Sequence, residues 1–263
     1  MDEEVTAINT RPAPRGAQTV LRAVALLEGL SSSRSFLTAT QLARSTGLST
    51  PTTHRILRTL ESQSYVERDP RRGYRLGTAL LRLAAAAAVR YDEIALLAET
   101  MAQIREFTGE TVSLHRRVGD RRVCVAEDVS PQPVKVSSIV GRSYPLSAGA
   151  ASKAIMSLLP DAEVERILDV PDDGSGRRPA RAAFWRAVRD VRARGYATSV
   201  NETYPGATGL AVPFRRSDAL APGAIDLAGP TDRMTAKLLD QALPHLTAAA
   251  ERVTQANAPV ADP

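Results

Sequence analysis

Between Ser49 and Arg58 the chain sets hydroxyls, an imidazole and two guanidiniums along one short segment, STPTTHRILR. Thr53, Ile56, Leu57 and Leu60 recur at the spacing of one helix face, while Thr52, Arg55, Arg58 and Ser62 fall on the other. An arginine fork can bond guanine O6 and N7 together, and a threonine offers a hydroxyl or a methyl to a base edge. Ser49, Thr50 and Thr52 stand in the first turn, where hydroxyls and free amides suit phosphate oxygens. Arg71 and Arg72 lie in a tight turn downstream, placed to neutralise flanking phosphates. The chemistry these residues suit is recognition of double-stranded DNA. The candidate contacts are Thr40, Ser49, Thr50, Thr52, Thr53, His54, Arg55, Arg58, Arg71 and Arg72. His54, at the helix edge, reads equally as a packing residue or a base contact. A three-helix protein-interaction domain with a solvated arginine face is the alternative for the whole segment.

Such a segment needs elements that hold it. Residues 19–30 carry Val20, Val24 and Leu27 at helical spacing and end at a serine run. Thr38 and Gln41 have the spacing of a capping box, opening a short helix with Leu42 and Ala43 on its apolar side. Gly47 stops that helix, because glycine takes the left-handed conformation cheaply. Ser49 or Thr50 caps the third helix, whose first turn tolerates Pro51. Residues 65–68 and 74–76 read as two strands around Asp69-Pro70-Arg71-Arg72-Gly73, a turn in which proline presets φ and glycine relieves strain. The pattern is a winged helix-turn-helix over residues 17–77, mostly helical with a β-hairpin wing. Residues 1–16 are expected to form a flexible arm, with Arg11 and Arg15 on it, and 78–90 an alanine-rich linker helix.

The charge distribution agrees. Residues 1–90 hold thirteen arginines, no lysine and seven acids, a surplus of six, whereas 91–263 are one charge short of neutral. An imbalance confined to one third of the chain suggests a polyanionic partner for that third. Hydrophobic residues make up 43% of the chain, enough for a sizeable core, yet no apolar run approaches the roughly 20 residues that span a bilayer. The start, Met1-Asp2-Glu3-Glu4, has the wrong charge for an export signal, and the single cysteine, Cys124, excludes an internal disulfide. A cytoplasmic protein with no membrane partner is expected.

Catalysis finds little support. His115 and Cys124 are candidates for neighbours on a hairpin, but no third group completes a nucleophile–base set. Three histidines and one cysteine, far apart, do not make a metal site, and no phosphate-binding loop is present. Cys124 reads as a small packing hydrophobe, and Lys153 as structural or ligand-facing. No cofactor is expected.

From residue 91 onward helices and strands alternate. Helices are expected at 94–108, 148–158, 163–169, 184–194 and 231–255, and strands at 111–115, 122–127, 134–139, 197–200, 209–214 and 223–228. This is the pattern of an α+β domain over 91–256, with 257–263 as a tail.

Residues 19–27 (TVLRAVALL), 42–48 (LARSTGL), 53–60 (THRILRTL) and 74–77 (YRLG) together resemble the IclR-type (isocitrate-lyase regulator) transcription factors. In the second half, 140–155 (VGRSYPLSAGAASKAI), then Glu202, Gly206, 211–213 (AVP) and 228–230 (AGP), follow in register. The resemblance implies a GAF-like effector-binding domain, a homodimer or homotetramer, and an operator affinity modulated by a small organic or aromatic acid, as a repressor or as an activator. It places the effector site at Ala150 and Ala151 at a helix N-terminus, facing Ser199, Gly209, Asp226 and Ala228, with Val136 and Tyr144 on an apolar side. Members that bind glyoxylate or pyruvate carry an acid at the position of Ser199, a thiol at Gly209 and hydroxyls at Asp226 and Ala228. The small residues at Gly209 and Ala228 therefore predict a different, larger ligand. Asp226 either faces that ligand or points outward on an edge strand.

Overall fold

The computed structural model describes residues 17–31, 33, 35–88, 93–170, 178–215 and 221–256. The expected arm at 1–16 and the tail at 257–263 lie outside them. The chain divides into two units, residues 1–92 and 93–263.

The first unit runs α1 (Gln18–Ser31), α2 (Ala39–Thr46), α3 (Thr50–Ser62), β1 (Val66–Asp69), β2 (Gly73–Leu76) and α4 (Ala79–Ala88). Its boundaries have local causes. Thr38 Oγ1 accepts the Gln41 N–H at 3.2 Å, and Gln41 Oε1 accepts the Thr38 N–H at 2.8 Å, closing the capping box on α2. Gly47, at φ +67°, ends α2 in the left-handed conformation. Ser49 caps α3 by accepting the Thr52 N–H. Leu26, Leu30, Leu42, Ile56, Leu57, Val66 and Tyr74 form the core. Leu37 exchanges backbone hydrogen bonds with Tyr74 and so adds a one-residue third strand to the hairpin.

Val20 and Val24, whose spacing marked α1 as a helix, are 64% and 44% exposed. Only the C-terminal half of α1 supplies buried residues, Leu26, Gly29 and Leu30. Leu21 on α1 and Leu81 and Leu83 on α4 are also exposed.

The second unit runs α5 (Glu93–Thr108), β3 (Thr111–Val118), β4 (Arg121–Asp128), β5 (Ser143–Pro145), α6 (Ala150–Ser157), α7 (Asp161–Leu168), α8 (Arg181–Arg194), β6 (Ala197–Val200), β7 (Ala207–Phe214), β8 (Gly223–Pro230) and α9 (Ala236–Gln255). The strands form one antiparallel sheet in the order β5-β4-β3-β8-β7-β6. Alternation along each strand splits its residues between two cores. Leu210, Val212, Ile225 and Leu227 pack with α5 and α9, whereas Ala197, Ala211 and Ala224 pack with α6, α7 and α8. The second face is built from small residues, which lets α6 lie close to the sheet.

Residues 134–139, expected as a strand, form a loop. Ile139 takes φ +52° and Gly141 φ +85°, which turns the chain back. The Ser137 hydroxyl and the Ser138 N–H bond the Glu127 carboxylate instead of joining a ladder. The strand that does pair with β4 is the short β5, which the sequence reading did not contain.

Candidate functional site

In the first unit, α3 divides its side chains as the spacing predicts, with two adjustments. Arg55 and Arg58 are exposed, Thr52 is half-buried, and Ser49, Thr50 and Thr40 are exposed beside them. His54 is exposed with them, so the packing alternative for it does not hold. Thr53 is corrected as a DNA-facing candidate: it is fully buried, one turn before Ile56 and Leu57 on the same face. At the wing tip Asp69 Oδ1 accepts the N–H groups of both Arg71 and Arg72 at 2.8 Å. Those two backbone bonds hold the Asp69 carboxyl below its usual range and fix the turn, with both arginines exposed.

In the second unit a cavity of about 30 Å³ lies between the N-terminus of α6 and the small-residue face of the sheet. Ala150 and Ala151 form one wall. Ser199, Gly209, Asp226 and Ala228 form the facing wall, and Val136 and Ser138 come from the 134–140 loop. Thr203 and Tyr204 close it from the turn at 201–206. Each residue arrives for a local reason. Gly149, at φ +91°, lets the chain turn into α6, and a Cβ there would meet Thr203 Oγ1 at 2.4 Å. Glu202 Oε2 accepts the Gly149 N–H at 2.9 Å. Glu202 also pairs with Lys153, which donates to Thr198 O at 3.1 Å. Lys153 thus ties α6 to the segment that carries Thr203 and Tyr204.

Behind the cavity lies a buried polar chain that the sequence reading missed. Arg122 Nε donates to Ser152 Oγ at 3.0 Å, and its Nη1 donates to His115 Nδ1 at 2.9 Å. The same Nη1 lies 3.2 Å from His115 Nε2, and Nε2 is 2.9 Å from Ser113 Oγ. Ser113 in turn donates to Ser138 Oγ at 3.4 Å. Burial, then the Arg122 charge, holds His115 well below its ordinary pKa, which keeps the ring neutral. The Arg122 guanidinium also sits 4.5 Å over the Tyr144 ring.

Asp226 is 7% exposed and stands on β8, an interior strand, directly opposite Ser113 and Ala211. The edge-strand alternative for it therefore falls. Its carboxylate takes no hydrogen bond from any described residue. Burial raises its pKa to about 6, against the opposing pull of the Arg122 charge.

Seven of the eight expected effector residues line this one cavity. Tyr144 does not. It is buried behind the wall, its hydroxyl donating to Ser138 O and lying 3.1 Å from the Tyr204 hydroxyl. The extra room expected beside Gly209 is also absent. A Cβ there would lie 3.2 Å from Ser199 Oγ, 3.3 Å from Ala150 Cβ and 3.4 Å from Asp226 Oδ1. Arg122, Ser138, Thr203, Tyr204, Ala207 and Thr208 line the cavity without having been singled out. The one signal for Arg122 was its place in a strand that also carries Cys124. The expected pairing of His115 with Cys124 is found across β3 and β4. The Cys124 thiol is buried, which pushes it up to about 12, and it donates to Ala126 O.

Comparison with known proteins gives concordant matches. Residues 19–70 match the IclR helix-turn-helix domain, and residues 85–255 match the bacterial transcriptional regulator IclR C-terminal domain. The glycerol operon regulatory protein of Streptomyces griseus is 30% identical over 222 residues, covering 84% of this chain and 87% of that protein. The crystal structure of an IclR transcriptional regulator from Alicyclobacillus acidocaldarius superposes with a TM-score of 0.78 at 26% identity, over 90% of this chain and 97% of that one. An IclR homologue from Microbacterium hydrocarbonoxydans, complexed with 4-hydroxybenzoate, shares the fold with a TM-score of 0.76 at 20% identity, over 90% and 97% of the two chains.

Proposed function

The chain belongs to the IclR family of DNA-binding transcriptional regulators, and from that premise we propose that it is a repressor whose operator affinity is set by a small organic acid held in the second unit. The observation that carries the effector reading is the cavity itself. It joins the first turn of α6, whose amides have no intrahelical partners, to a buried arginine, and carboxylates favour both. The complex of the Microbacterium homologue with 4-hydroxybenzoate supports an acid of some kind. Repression is the simpler reading because it requires only occupancy of an operator, which the exposed Arg55, Arg58, Arg71 and Arg72 suit.

The reading extends to a homodimer or homotetramer. Val20, Leu21, Val24, Leu81 and Leu83 leave apolar surface on α1 and α4 of the first unit, which a second copy would cover. A two-fold protein fits two half-sites one helical turn apart, or a multiple. A ligand that prefers one spacing of the recognition helices would then release or recruit the operator.

The test is selection of random duplex DNA on the purified protein, repeated with a pool of organic acids. An enriched palindrome whose recovery falls with the pool is the expected outcome. Recovery that rises with the pool makes the protein a ligand-dependent activator. A palindrome indifferent to every acid removes the effector reading. No enrichment at low salt would contradict specific readout and favour the protein-interaction alternative.

A further inference from the structure

The cavity offers more than a carboxylate site. At one end are the open amides of α6 and the second amino group of Arg122, Nη2. That group makes no hydrogen bond among the described residues and lies 3.5 Å from where a Gly149 Cβ would stand. At the other end is Asp226, more than nine-tenths buried and without a donor. A buried carboxylate in that position is costly unless something bonds it. The two ends are close. One point, the place of a Gly209 Cβ, is within 3.4 Å of both Ala150 Cβ and Asp226 Oδ1. Once two hydrogen bonds of about 2.9 Å are allowed for, a bound acid has only a carbon or two between its carboxylate and whatever meets Asp226.

Charge decides what that group is. Arg122 and Asp226 already offset each other inside the cavity. A simple acid adds one buried negative charge next to Asp226, and a hydroxy acid does the same while bonding it. A zwitterion adds none and bonds both ends. Resting on the effector reading above, we propose that the cavity takes a small α-amino acid, its carboxylate on the first turn of α6 and Arg122 Nη2, and its ammonium on Asp226. The small volume and the loop turns that close it favour a short side chain.

The test is calorimetric titration of the full chain with the twenty common amino acids, alongside their matched hydroxy and plain acids: glycine, glycolate and acetate; alanine, lactate and propionate; and so on. At least one amino acid is expected to bind at least about tenfold more tightly than both of its counterparts, since a site built to bond a group rejects analogues lacking it. In Asp226→Asn that preference should disappear while folding, read by circular dichroism, is kept. The comparison within each matched set needs no variant, so a poorly folding Asp226→Asn does not spare the proposal. A hydroxy or plain acid that equals the amino acid overturns the zwitterion but leaves the acid effector standing. A preference that survives Asp226→Asn overturns the role of Asp226. If no acid of any kind binds, both readings fall.

Discussion

At the scale of single residues, the two sets of arginines on the first unit are expected to behave differently. Arg55 and Arg58 project from α3, so Arg55→Ala and Arg58→Ala should each lose roughly 1–3 kcal/mol of discrimination at one base pair of the operator. Competition binding with single-base operator variants reads this directly, and uniform weakening across all sequences would contradict it. Asp226 makes a second prediction, whose sign follows from its raised pKa. Its folded value, about 6, lies above the 3.8 of the exposed group. Between those values the folded state holds more protons than the unfolded, so stability falls as pH rises through that window and is level above it. Asp226→Asn removes this dependence. The variant should gain on the parent between pH 4 and 6, by up to roughly 3 kcal/mol at about 1.4 kcal/mol per unit. Denaturant unfolding at several pH values measures it, and parallel curves for the two proteins would sink the assignment. His115 acts in the opposite sense. Its folded pKa is depressed, so its contribution is present above the unfolded value and is lost on acidification.

At the scale of elements, caps and turns carry the argument. Both bonds of the Thr38–Gln41 capping box are formed, so Thr38→Ala should cost about 1 kcal/mol of stability in the first unit. Gly149 joins a positive φ to a close approach from Thr203, so Gly149→Ala is expected to cost about 1–3 kcal/mol. It should also weaken effector binding, because relief comes only by moving the 201–206 turn that closes the cavity. Calorimetry on Gly149→Ala and on Gly149→Ala/Thr203→Ala, which removes the clashing Oγ1, separates φ strain from the clash with the threonine. How legible these elements were in the sequence depended on the range of the forces that make them. Thr38, Gln41, Gly47 and Ser49 act on neighbours within one turn, so their spacing was enough. The 134–139 segment has strand-like residues but is held by Glu127 and turned by Ile139 and Gly141. Propensity does not show such contacts.

At the scale of the molecule, the surplus of positive charge in residues 1–90 should make DNA affinity steeply dependent on salt. Arg71→Ala is expected to weaken binding to all sequences about equally and to reduce the slope of log affinity against log salt by about 1. A titration series between low and physiological salt checks it, and an unchanged slope would remove Arg71 from the interface. The sequence alone determined the winged helix-turn-helix, the α+β second half, the family and most of the cavity wall. Those follow from local caps, periodicity and ordered motifs. Only the tertiary structure decided that Thr53 is core, that Val20 and Val24 are surface, and that Tyr144 stands behind the cavity wall. It alone brought Arg122, His115, Ser113, Ser152 and Asp226 together from β3, β4, β8 and α6. The physical reason is separation along the chain. A charge compensated by residues a hundred positions away leaves no periodic trace, and its partners become visible only when the sheet is folded.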